Sequence, residues 1–343
     1  MSDLNRRDFL KTSAAVAVLA GAPRAVAAKR SATDWVPLGK SGVKVTRLAF
    51  GTGTLGGSVQ RSLGQEQFTR LIRHAHERGI RFFETADAYT GMPQMLATAL
   101  KGVPRDSYRL MTKYRLRDTE NPPATIDRLR KDLNTDQIDI LLMHCVRSPK
   151  WPEEQKRIED AFSEAKSKKI ILSHGASVHG LLPLRAFPGT EWLDVALLRV
   201  NHNGTRMDTL QTRDTDDLGN VDEVFTHARK IHAGGTGVLG MKLIGEGRFK
   251  TEEERYQSLK FVMGSGAVDA VTIGFKTTAE IDEAIARMNR VLNAYHAAAQ
   301  CLAGAERTGR TAKMRTGPSR PLGCNVARRS RSVRNFTPQL PYG

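Results

Sequence analysis

Between residues 31 and 304 the sequence alternates, eight times over, between a short apolar run and a stretch of helical pattern or loop. The runs are "LAFG" (48–51), "IRFFETA" (80–86), "YRLMTK" (108–113), "IDILLMH" (138–144), "IILSHGAS" (170–177), "DVALLRVN" (194–201), "GVLGMK" (237–242) and "DAVTIG" (269–274). After the first run, Phe68, Leu71, Ile72 and Ala75 share one face of a helix that Gly79 stops. Alternating strands and helices imply a parallel sheet. Eight such units in about 250 residues predict one closed (β/α)8 TIM barrel rather than an open doubly wound sheet. Ahead of the first run, "WVPLGKSGVKVTRL" alternates around Gly39 to Gly42. This predicts an N-terminal β-hairpin that closes the bottom of the barrel.

The ends have a different character, and charge separates them from the middle. The chain carries a formal net charge of +17. Residues 305–343 hold nine Lys or Arg against one acid, and residues 1–30 hold six against two. That leaves 17 − 8 − 4 = +5 for residues 31–304. The strongly basic balance therefore belongs to the ends, and no nucleic-acid role is expected of the barrel. The tail from 305 reads as a disordered basic extension, with a membrane-surface or partner-binding segment as the alternative. The start pairs Arg6 and Arg7 with Phe9, Leu10 and Lys11, then an apolar run to about Ala22 and a small-residue site, Ala25-Val26-Ala27. This is the layout of a signal peptide. Its apolar run is too short to span a bilayer, so no stable membrane insertion is expected after cleavage. The paired arginines resemble the twin-arginine export signal; an ordinary secretory signal or an uncleaved anchor is the alternative. The expected division is 1–30 signal, 31–304 barrel and 305–343 tail. Cys145, Cys301 and Cys324 show no metal spacing and no disulfide framework, and Cys145 reads as a small core residue.

Barrel chemistry gathers at the C-terminal ends of the strands. Glu84 stands at the second of these, with Asp87 and Tyr89 just beyond. Lys113 ends the third and His144 the fourth; Ser177 ends the fifth, Lys242 the seventh, and Gly274 and Lys276 follow the eighth. Each has an ordinary structural explanation on its own: a loop anchor for Tyr89, a solvated end for Lys113, a core histidine for His144, an ion-pair partner for Glu84. Together, on consecutive strands, they make a set.

That set, with "LGKSGVKVTRLAFGTG", "FFETADAYTG", "MTK", "IDILLMH", "HGAS" and "IGFKTTAEIDEA", resembles the aldo-keto reductase family over roughly residues 36–300. The resemblance implies reduction of a carbonyl by hydride, or the reverse oxidation. Negative charge then builds on the carbonyl oxygen, and a donor must meet it. By resemblance Tyr89 donates the proton, Lys113 lowers its pKa, His144 orients the substrate oxygen, and Glu84 stands where the family has an aspartate holding the lysine. Asp87 receives no role. Ser177 matches the nicotinamide-amide serine, but Val178, Leu197 and Met241 replace an asparagine, a glutamine and a stacking aromatic ring. Lys242, Gly274, Lys276 and Thr277 match the phosphate side and Glu283 the adenine side. Lys276 would suit a 2′-phosphate, hence NADP(H) as cofactor; Thr277 and Glu280 also read as a plain helix start. No metal is expected.

The expected protein is thus a periplasmic NADP-dependent reductase of a small carbonyl substrate, exported folded by the twin-arginine machinery. The replaced nicotinamide contacts keep open a non-catalytic barrel that acts as a binding or accessory protein.

Overall fold

The computed structural model describes residues 30–211 and 216–307, with side chains up to Tyr295. The signal segment before Arg30 and the tail beyond Arg307 lie outside the described residues. A short antiparallel hairpin, β1 (Trp35–Pro37) and β2 (Lys44–Thr46), comes first. Eight parallel strands follow: β3 (Leu48–Gly51), β4 (Phe82–Glu84), β5 (Arg109–Arg115), β6 (Ile138–Val146), β7 (Ile171–Val178), β8 (Val195–Arg199), β9 (Gly237–Met241) and β10 (Ala270–Ile273). They close into a barrel in chain order, β10 pairing with both β9 and β3. The expected architecture is the one present.

Alternation along each strand divides the apolar residues into two cores. Phe82, Met111, Ile140, Leu142, Val195, Leu197 and Leu239 point inward and pack together. Phe83, Leu110, Leu141, Ala196 and Leu198 point outward to the helices. The hairpin residues Val36, Leu38, Val43 and Val45 belong to the inner group, so the hairpin plugs the barrel floor. Gly39 makes that seam possible. It sits at φ +48°, and a Cβ there would come within 2.3 Å of the Gly235 carbonyl oxygen.

Helices cover the outside where the sequence spacing placed them. The helix α1 (Ser58–Arg61) leads into α2 (Gly64–Glu77), which buries Phe68, Leu71, Ile72 and Ala75. α3 (Met92–Leu100), α4 (Pro122–Asp132), α5 (Trp151–Glu154) and α6 (Lys156–Ser167) follow their strands, as do α7 (Leu181–Leu184), α8 (Val221–Ala233) and α9 (Glu252–Gly264). The last helix, α10 (Thr278–Arg307), runs past residue 304, where the apolar spacing fades. Its final turns are rich in alanine, a strong helix former that needs no packing face. Among the described residues no helix is long and apolar enough to cross a membrane.

Candidate active site

The register brings the ends of four strands side by side. Gly51 lies beside Glu84 and Glu84 beside Met111, while Lys113 faces Leu142 and Arg115 faces His144 on β6. Lys113 points into this ring and is only 1% exposed. Its ammonium contacts Glu84 Oε1 and donates to the Thr85 carbonyl at 3.1 Å and to the Tyr89 hydroxyl at 3.2 Å. The His144 ring stands edge-on to the Tyr89 ring, centroids 5.5 Å apart. Tyr89, Lys113, His144 and Glu84 therefore form one cluster.

The loop that carries Tyr89 is pinned to its neighbour strand. Thr85 N donates to Met111 O at 2.9 Å and Asp87 N to Lys113 O at 3.0 Å. The Asp87 carboxylate pairs with Arg128 at 2.8 Å and Arg115 at 3.4 Å. Asp87, to which the sequence assigned no role, is a strut for the tyrosine loop.

Electrostatics alter one expectation. Burial pushes the Tyr89 phenol up to about 12, and the nearby Lys113 charge only partly opposes it. The sequence reading expected the lysine to win and lower it. The ring borders a cavity, yet the hydroxyl is packed so closely that a Cβ on Gly53 would lie 2.5 Å from it. Burial works against the Lys113 ammonium as well, but Glu84 and Tyr89 overcome it and raise its pKa. His144 is held well below the ordinary histidine value, by burial first and by the Lys113 charge second. At neutral pH the cluster thus holds a protonated phenol, a lysine ammonium and a neutral imidazole.

A cavity of about 500 Å³ opens beside this cluster, between the loops after β3, β9 and β10. Glu84 and Tyr89 line one part of it; Lys242, Gly274, Lys276 and Glu283 line the remainder. Four of the residues matched to a cofactor already have partners. Lys242 pairs with Glu246, which also binds Arg206 at 2.8 Å. Glu283 joins Arg255 at 2.9 Å and also contacts Arg287. Thr277 Oγ1 accepts from Glu280 N at 3.2 Å and caps α10. Ser177 is fully buried; its hydroxyl accepts from Cys145 N at 2.9 Å and reaches Met143 O at 3.3 Å. It braces the bulge of β6, where Cys145 takes φ +65°.

Several residues at the site escaped the sequence. Arg255 and Arg287 line the cavity, and Arg287 is 6% exposed with its Nε lacking a hydrogen-bond partner. Burial, followed by the charge of Arg255, lowers Arg287 to about 10. Two guanidinium groups share the single Glu283 carboxylate, so this trio keeps positive charge facing the cavity. That charge and the cavity's reach from Tyr89 to α10 fit a phosphorylated dinucleotide. Cys145 is half-buried rather than core, with Arg147 Nη2 at 3.6 Å from its sulfur. Burial tends to raise its thiol, but His179 and Arg147 bring it below the ordinary cysteine value. Among the described residues no group of three or more His, Cys, Asp or Glu is placed to hold a metal ion.

Known proteins share the fold. A model described as "Aldo/keto reductase family" matches residues 47–259, more than half of the chain. A model of the twin-arginine translocation signal sequence matches residues 3–23. A "Probable aldo-keto reductase 1" of Glycine max is 26% identical over 233 residues, 62% of this chain. The chain spans only 60% of that relative's length. A putative aldo-keto reductase from Pseudomonas aeruginosa shares the fold at TM-score 0.61 and 20% identity, covering 77% of this chain and 98% of that one. One from Klebsiella pneumoniae in complex with NADPH superposes at TM-score 0.57 and 14% identity, covering 74% and 89%.

Proposed function

The chain belongs to the aldo/keto reductase family, and on that premise we propose that it is an exported NADP-dependent oxidoreductase interconverting an aldehyde or ketone with its alcohol. The observation that carries the reading is the hydrogen bond between Lys113 Nζ and the Tyr89 hydroxyl, 3.2 Å long, at the edge of the cavity. Lys242, Lys276, Arg255 and Arg287 would hold the phosphates, and the NADPH complex of the Klebsiella relative supports that nucleotide. When bound, the nicotinamide supplies the hydride.

The protein's own groups handle the proton. The Tyr89 phenol, pushed up to about 12, keeps its proton through the neutral range and presents it to the carbonyl oxygen. Neutral His144 supplies a second hydrogen bond to that oxygen. As negative charge builds on the oxygen, the proton passes from Tyr89, and the Lys113 ammonium stabilises the phenolate left behind. Glu84 keeps the ammonium in place. The twin-arginine signal, which delivers folded proteins, supports a periplasmic location.

A binding or accessory barrel is the second reading. Ser177 is committed to backbone and Val178 offers no side-chain amide, which weakens the nicotinamide end. Titrating the exported protein with NADPH, while following its fluorescence and the turnover of a test aldehyde, separates the two. Micromolar binding with turnover that Tyr89→Phe abolishes is the expected result. Binding without turnover favours the accessory barrel.

A further inference from the structure

The carboxylate that faces Lys113 is gripped from its other side by the last strand of the barrel. Thr272 on β10 donates its hydroxyl to Glu84 Oε2 at 3.3 Å, while Oε1 faces the lysine. These partners are 188 residues apart, and barrel closure through β3 brings them together. Between them lies Gly51. A Cβ there would stand 2.5 Å from Thr272 Oγ1 and 2.9 Å from Glu84 Oε2. Gly51 lies outside the left-handed region, so space and not backbone freedom demands the glycine.

We propose that Gly51 and Thr272 form a seat fitted to a glutamate, positioning residues that fix Glu84 so that its inner oxygen sets Lys113 against Tyr89. The proposal rests on the reading that Tyr89 is the proton donor. A glutamate has one more rotatable bond than an aspartate, and ordering it has an entropic cost. The Thr272 hydroxyl offsets part of that cost with a hydrogen bond to the carboxylate, a long one at 3.3 Å. The empty volume at Gly51 receives the longer side chain. With the outer oxygen fixed, the inner one meets the ammonium in one geometry. An aspartate, one methylene shorter, does not span from Thr272 to Lys113. This chain therefore works with its glutamate and not with the shorter acid, although both carry the same charge.

Four variants of the full chain test the seat, with NADPH and a test aldehyde: Thr272→Val, Thr272→Ser, Glu84→Asp and Gly51→Ala. Thr272→Val lowers kcat about tenfold and leaves KM within about twofold, the size expected for losing a hydrogen bond to a charged group. Thr272→Ser, which keeps the hydroxyl, restores most of kcat. Glu84→Asp and Gly51→Ala each fall at least as far as Thr272→Val. Lysine-ammonium NMR of 15N-labelled protein gives a readout free of turnover. The Lys113 signal, identified by its loss in Lys113→Met, is sharp in the wild type and in Thr272→Ser and broadens in Thr272→Val. Unchanged kcat in Thr272→Val, full activity in Glu84→Asp, or an unchanged ammonium signal overturns the seat. An inactive wild type overturns the reading of Tyr89 instead, and the NMR comparison alone then decides the seat.

Discussion

Of the carboxylates that the barrel buries next to cations, Asp139 at one end and Glu84 at the other do opposite things. At the floor, Asp139 near the start of β6 takes Arg105 at 2.6 Å, Arg109 at 3.4 Å and the Leu110 N–H at 2.8 Å. Its partners are protein groups committed to one arrangement. At the mouth, Glu84 meets an ammonium that also touches a phenol on the wall of a cavity. The floor guanidinium groups go on to the Tyr108 and Gln137 carbonyls beside a cavity of their own, whereas the mouth ammonium goes on to a phenol, a group with a proton to give. Left-handed φ does not separate the two ends: Cys145, Lys242 and Glu246 adopt it at the mouth, and Asn134 and Lys169 adopt it in the loops that enter β6 and β7 at the floor. A buried charge is thus not a functional signal by itself; what its partner touches next decides.

Two substitutions would break this contrast most directly. Tyr89→Phe is expected to lower kcat/KM for a test aldehyde by about 10³-fold, a typical share for acid catalysis, with thermal unfolding nearly unchanged. Asp139→Ala is expected to do the reverse, costing about 3 kcal/mol in urea unfolding while the folded fraction keeps its turnover. If Asp139→Ala abolished turnover in fully folded protein, the two ends would not be separate in role.

Acid sharpens the floor's side of the comparison. His174 on β7 stacks on Trp192, ring centroids 4.4 Å apart, and burial lowers it to about 4 despite nearby Asp194. A folded-state pKa below the unfolded value of about 6.5 favours the native state above that pH. This stability is lost as pH falls from about 6.5 towards about 4. Urea unfolding at a series of pH values should show the decline, and His174→Phe should flatten it. A stability independent of pH across that window counts against a buried neutral imidazole.

The smallest expected effect lies at the mouth. Cys145, with its thiol lowered by His179 and Arg147, should react with iodoacetamide at pH 7 roughly threefold faster in native than in urea-unfolded protein. The comparison requires Cys301→Ser and Cys324→Ser. Slower alkylation in the native state would mean that burial outweighs those two partners.

Local pattern carried most of the fold and about half of the site. Strand and helix periods are properties of neighbouring residues, so the eight units, the hairpin and the strand-end places of Lys113 and His144 were readable. Thr272 was not, because in sequence it is one more residue of a short apolar run; its meaning appears only when β10 closes on β3. Arg255 and Arg287 look like helix-surface charges until two helices turn them into one cavity. The rise of the Tyr89 pKa was hidden for a similar reason. Burial is a sum over many distant neighbours, whereas its partner Lys113 stands at a strand end visible in the sequence.

The hairpin has a bearing on traffic. Leu38 and Val45 fill the lower end of the described barrel, so nothing crosses it from end to end. Whatever lodges near Tyr89 retreats the way it came. Two molecules that met there would both have to come and go on the side away from the hairpin.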